Sequence, residues 1–168
     1  MGAVEIDDRN WERIRKLFKD TFRSSFYYSF ATVDESGNPH VSPIGSLILR
    51  PDRTGYFFEH FPRMMPVNLE HNNKVCAMAV NMKKWPFLKF MLSGKVSEPI
   101  AVRIMGTVGE KRQSTPEEID AFLSRVRIFR FFKGHRMLWS KLRYVRDIKF
   151  DSFEPVGFGA LTKDLWDK

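Results

Sequence analysis

Two tight-turn signals, Asp34-Glu35-Ser36-Gly37-Asn38 and Pro51-Asp52-Arg53-Thr54-Gly55, cut the chain between residues 26 and 60 into three short runs. The runs span roughly Phe26 to Val33, His40 to Leu49 and Tyr56 to His60, and aromatic or β-branched side chains recur in them. Such side chains suit a pleated, half-buried surface, while Gly, Asn and Asp tolerate the backbone of a sharp reversal. Three strands joined by two tight turns form an antiparallel meander, which restricts the fold to sheet-based architectures.

The remaining elements follow in order. Pro66 to Asn72 reads as a short helix and Lys74 to Asn81 as a fourth strand. Lys83 to Ser93 is ambiguous, because Trp85-Pro86 breaks regularity while the rest is compatible with a helix. Val96 to Glu110 returns to strand character, with Gly106 and Gly109 marking a bend or bulge. Leu142 to Phe158 is a final strand or strand pair interrupted by Pro155.

Helices flank this sheet. Asp8 is placed to cap a helix in which Trp11, Ile14, Phe18 and Phe22 share one face, with Glu12 and Lys16 four apart. Thr115-Pro116-Glu117-Glu118 combines a capping threonine, proline at the first helical position and glutamate at the third. Ile119, Phe122, Val126 and Phe129 continue it as an apolar stripe, and Gly134 suits the exit. The expected division is one domain over 1–168: a helix in 1–24, strands in 26–110, a helix in 115–133 and a strand region in 136–168. Six or so strands with few helices favour a barrel over an open sheet.

Composition narrows the function classes. The single cysteine, Cys76, excludes an intrachain disulfide and a multi-cysteine zinc site, and its apolar neighbours mark a buried strand thiol. His40, His60, His71 and His135 lack metal-ligand spacing. Met1 to Asp8 carries three acids and no apolar run, and no stretch approaches the ~18 apolar residues of a membrane span, so the expected compartment is the cytoplasm. A formal charge of +8 calls for an anionic partner. Much of it lies in Arg125, Arg127, Arg130, Lys133, Arg136, Lys141, Arg143, Arg146 and Lys149, opposed between 124 and 149 only by Asp147. No nucleic-acid-binding motif accompanies these cations, so nucleic acid is not the expected partner.

Several local motifs share an order. Phe30-Ala31-Thr32-Val33-Asp34 precedes Gly37-Asn38-Pro39-His40-Val41-Ser42-Pro43, followed by Gly55-Tyr56-Phe57-Phe58. Arg63 then leads to Asn68-Leu69-Glu70-His71-Asn72-Asn73-Lys74-Val75, and Gly106 falls in the next long strand. In this order and spacing the chain resembles the pyridoxamine 5′-phosphate oxidase-like, FMN-binding split-barrel family. The resemblance implies a mainly β fold with flanking helices, a six-stranded antiparallel split β-barrel, and a homodimer with its cofactor at the interface.

The resemblance also implies a cofactor pocket built from Ser42, Pro43, Ile44, Gly45, Ser46, Glu59, His60, Arg63 and Asn68, with Trp139 and Arg143 reaching in from a second subunit. Arg146 is a further candidate for that reach. Ser42 stands where many members place a phosphate-binding arginine, and alternation puts it on one face with Ile44 and Ser46. Gly45 would let backbone approach a flat ring. Arg63 is the leading phosphate ligand, since a guanidinium binds phosphate oxygens in pairs and a helix start offers free N–H groups. Without the resemblance the same residues read as a strand bulged at Pro43 and a solvated loop arginine.

Two departures matter. The family's basic pair near the helix start is Arg63-Met64-Met65 here, and Leu47 stands where a lysine is usual. These changes resemble subfamilies other than the vitamin-processing oxidase. The leading expectation is an FMN-dependent oxidoreductase acting on a small molecule, with the flavin supplying the chemistry. The alternatives are a deazaflavin or haem protein, the latter with His40, His60 or His135 as axial ligand, and a non-catalytic flavin- or anion-binding module.

Overall fold

A computed structural model describes residues 2–60, 63–81, 83–96, 98–129, 131, 139, 142–157, 162, 165 and 166. Its first half contains β1 (Val4–Glu5), α1 (Asp8–Ser25), β2 (Tyr28–Val33), β3 (Pro39–Ile44), β4 (Ile48–Leu49) and β5 (Thr54–Phe58). The second half contains α2 (Met64–His71), β6 (Lys74–Val80), α3 (Lys84–Ser93), β7 (Ala101–Gln113), α4 (Pro116–Arg125) and β8 (Tyr144–Val156).

A reciprocal cap starts α1. Asp7 accepts from the Asn10 N–H at 2.8 Å, and the Asn10 side chain accepts from the Asp7 N–H at 2.9 Å. The expected cap was Asp8. Asp7 takes the role because the residue three further on is then Asn10, which can reach back, rather than Trp11. Among the described residues Glu12 and Lys16 form no ion pair. Phe26 ends the helix in the left-handed region (φ 65) with its N–H on the Phe22 carbonyl, so β2 begins two residues later than the aromatic run.

All strand pairs are antiparallel, in the order β3-β2-β6-β7-β8-β5-β4, with β1 added to β8. Among the described residues eight strands are present where six were expected, and the sheet is open. Two of the additions are two-residue strands. One of these, β4, exists because the run from His40 to Leu49 is broken at residues 45–47.

That break shapes the molecule. β3 and β4 are opposite edges of the sheet, yet only three residues separate them. Extended chain of that length reaches about 14 Å, so the sheet must curl until its edges nearly meet. Within the strip, the Ser46 hydroxyl accepts from the Phe58 N–H at 3.1 Å and lies 3.3 Å from the Phe58 carbonyl. A Cβ on Gly45 would stand 2.8 Å from the Phe26 carbonyl oxygen, so only glycine fits there without a shift.

The core fills the inside of the curl. Phe30, Ala77, Ile104 and Phe153 lie side by side across four strands and are all buried. From α1, Trp11, Ile14, Phe18 and Phe22 bury their apolar stripe against the sheet, Trp11 donating to the Arg50 carbonyl at 2.9 Å. Helix α4 opens with the expected capping box between Thr115 and Glu118. It ends at Arg125, short of 133, and a 3-10 turn spans Arg127–Phe129. The ambiguous stretch from Lys83 resolves as helix α3, Lys84–Ser93, and β7 carries irregularities at Met105/Gly106 and Val108/Lys111.

Candidate functional site

The expected pocket residues fall on β3, on the strip at 45–47, just beyond β5, and at the start and middle of α2, with Trp139 and Arg143 near the C-terminal end of the described chain. Pairing fixes which face each presents. Ser42 stands opposite Phe30, on the same side as Thr32, and Thr32 accepts from the buried Asn68 amide of α2 at 2.9 Å. Ser42 and α2 therefore share a face of β2–β3. Arg63, exposed, sits at the N-terminal end of α2, where no side chain caps the free N–H groups. Among the described residues it has no hydrogen-bond or ion-pair partner.

The structure divides the remaining residues by what already holds them. Ile44 is in the core, Pro43 is exposed, Gly45 abuts Phe26, and Ser46 is bonded to Phe58. Asn68, 1% exposed, ties α2 to β2. His60 is exposed at the end of β5. Trp139 is half-buried and meets the Phe122 ring edge-on at 5.9 Å, while exposed Arg143 accepts from the Ser114 N–H through its carbonyl at 2.9 Å. His40 Nε2 lies 3.1 Å from Asp34, and hydrogen bonds led by that from His40 pull the Asp34 carboxyl down to about 2. His135 falls outside the described residues. Cys76 lies on a strand but is half-buried where a buried thiol was expected, and its partial burial raises the thiol pKa.

Glu59 is the most constrained of the set. Its side chain is 4% exposed, accepts from Arg146 Nε, and lies 2.7 Å from Lys111 Nζ. Burial pushes its pKa up, but hydrogen bonds from Lys111 and Arg146 outweigh that and hold the carboxyl below its usual range. Glu59 thus carries a fixed charge neutralised on two sides. Lys111 was not singled out in the sequence, and it lies over the Tyr144 ring at 4.7 Å. The only local hint is the alternation of β7, because register alone brings Lys111 opposite Arg146.

A second feature is the outer face of the sheet. Val41, Ala31, Cys76 and Met105 form one row across β3, β2, β6 and β7, directly beside the core row of Phe30 and Ala77. Val41 is 67% exposed. No helix among the described residues is long and apolar enough to cross a membrane.

A curled antiparallel sheet whose edge strands β3 and β4 stand three residues apart in the chain has the architecture of a split barrel. The family described as pyridoxamine 5′-phosphate oxidase matches residues 14–153, and the chain belongs to that family. No curated protein matches the chain in sequence. Among solved structures it resembles an FMN-binding protein from Syntrophomonas wolfei subsp. wolfei at 16% identity, with 90% of this chain and 89% of that one covered and a TM-score of 0.61. It also resembles HupZ of Group A Streptococcus, at 20% identity with 87% and 96% covered and a TM-score of 0.56. An F420 reductase aligns at 16% identity over 76% and 88%, with a TM-score of 0.50. Identities this low speak to the fold alone.

Proposed function

We propose that the protein binds FMN at the corner of β3, β5 and α2 and works as an FMN-dependent oxidoreductase on a small molecule. The observation that carries this reading is Arg63. An exposed guanidinium with no described partner, at an uncapped helix start, is suited to a phosphate dianion. The Ser42 hydroxyl, half-buried on the same face as α2 and without a described partner, is available for phosphate or ribityl oxygens. His60 adds a further polar side chain at the end of β5. The donor set therefore fits the group, with Arg63 in the leading role and Glu59, Ser46 and Asn68 supporting the walls.

When bound, FMN supplies a ring that accepts a hydride or electrons, which these side chains do not. The chain's part is to hold the phosphate and shape the corner. The apolar row of Val41, Ala31, Cys76 and Met105 supports pairing with a second copy across the outer face of the sheet.

The test is a visible spectrum of the purified protein after incubation with FMN and gel filtration. Retained flavin bands, lost in Arg63→Glu, are expected. A protein that refuses FMN overturns the proposal. A haem Soret band, or preferential retention of the deazaflavin F420, would transfer the site to that ligand.

A further inference from the structure

A groove of about 970 Å³ runs between α1, residues 47–49 and the end of α4, and its described lining shares no residue with the set assigned to FMN. Along α1 it is lined by Arg9, Arg13, Arg15, Lys16, Lys19 and Arg23, and from α4 by Arg125; among the described residues the only carboxylate on its wall is Glu12. Among the described residues none of these seven cations is in an ion pair. Elsewhere among the described residues Arg50, Arg53, Arg103, Arg112 and Arg146 are each in an ion pair. So many like charges in one concavity repel each other, and an anion placed among them gains from all of them at once.

Two details indicate a prepared site rather than a solvated helix face. The Arg15 Nε is buried with no hydrogen-bond partner. Buried donors are ordinarily satisfied, and a shift of the Arg15 side chain toward an acceptor in the groove would remove that penalty. Arg125 is also held rigid, donating to the Leu47 carbonyl at 2.7 Å and the Tyr28 hydroxyl at 2.8 Å with its guanidinium 4.0 Å from the Phe22 ring centroid.

We propose that this groove is a second binding site, for a small molecule carrying several phosphate groups. The size is right, since pockets for such ligands run to roughly 300–1,000 Å³. From Arg9 to Arg23 the helix advances about 21 Å, enough to follow a chain of phosphates. Single-stranded nucleic acid fits less well. It needs open aromatic faces for its bases, whereas the ring side chains here, Phe18, Phe22 and Tyr28, are at most 6% exposed.

The test is calorimetric titration of the FMN-loaded protein, or the protein as purified if it takes no FMN. The probes are inorganic tripolyphosphate, ATP, inorganic monophosphate and a single-stranded oligonucleotide, at about 50 mM and about 200 mM salt. Tripolyphosphate and ATP are expected to bind and monophosphate to bind at least about tenfold more weakly, with affinity falling as salt rises. If ATP gains over tripolyphosphate, the natural ligand has an organic body; equal affinity makes the phosphate chain itself the ligand. The exposed pair Lys16→Glu/Lys19→Glu should weaken binding at least about tenfold without changing flavin content or the melting temperature. Arg15→Met provides a second variant with the same expectation for binding. Binding of neither polyphosphate, binding untouched by both variants, competition by FMN, or a preference of about tenfold for the oligonucleotide would each overturn the proposal.

Discussion

Arg125, the last residue of α4, donates to the hydroxyl of Tyr28, the first residue of β2, at 2.8 Å across 97 positions of sequence. The same guanidinium reaches the Leu47 carbonyl in the strip that joins the two sheet edges. One side chain therefore ties α4, α1, β2 and the strip together. Arg125→Ala should destabilise the fold by roughly 2 kcal/mol, because two bonds from a charged donor are lost. Arg125→Lys should recover less than half, since an ammonium lacks the planar fork that serves two acceptors. Urea unfolding of the two variants decides it, and equal stability of Lys and wild type would refute the account.

Glu59 and Arg146 make the most buried ion pair among those described, with side chains 4% and 11% exposed. Glu59→Gln leaves Arg146 buried and short of its counter-charge, at an expected cost of roughly 3 kcal/mol. Replacing both, as Glu59→Gln/Arg146→Met, should cost less than the single change. A double-mutant cycle by chemical denaturation measures this coupling.

Gly45→Ala places a methyl group 2.8 Å from the Phe26 carbonyl oxygen. The strip must then shift, and the expected loss is roughly 1–3 kcal/mol. Gly2→Ala meets nothing within 4 Å and serves as the control for thermal melts.

Stability should fall in acid. Arg112 beside Glu118 and Asp147 holds both carboxyls below their ordinary range, and Glu59 is held low by Lys111 and Arg146 despite its burial. Their folded pKa values lie below the unfolded ones, so the folded state binds fewer protons. The stabilisation is complete above about pH 4.5 and is lost as pH falls through the folded values. Melting temperatures from pH 7 down to about pH 2.5 should show this loss, and Glu59→Gln should flatten part of it. A profile level through that range would contradict the assignment.

Arg63→Ala should weaken FMN binding by about ten- to a hundredfold, the loss of a charge-assisted bidentate contact, while leaving the fold intact. Fluorescence titration of FMN measures it against Arg143→Ala, which removes an exposed side chain proposed to act only from a second subunit. A concentration-dependent effect of Arg143→Ala would tie the site to dimerisation.

The candidate corner was legible only in part. Arg63 is visible because it stands next to a recognisable helix, and Ser42 because alternation assigns it a face. Glu59, Ser46 and Asn68 carry the same types of side chain, yet each is committed within the protein, to Arg146, Phe58 and Thr32. Those partners lie 87, 12 and 36 positions away, beyond any local pattern. The cations of α1 were visible as residues, but the sequence drew attention to the denser run at 125–149 instead. A charged helix face becomes a groove only once α4 and residues 47–49 are packed beside it.

By itself the sequence determined what depends on near neighbours. The turns at Gly37 and Arg53, the apolar stripe of α1 and the Thr115–Glu118 cap all follow from side chains within a few positions of each other. Tertiary structure decided the rest: that the sheet curls until its edges are three residues apart, that β8 runs beside both β7 and β5, and which polar groups are left over for a ligand. The physical reason is one of range. Backbone preference and capping act over a single turn of chain, whereas strand pairing and the satisfaction of buried charge are settled only when distant segments meet and exclude water.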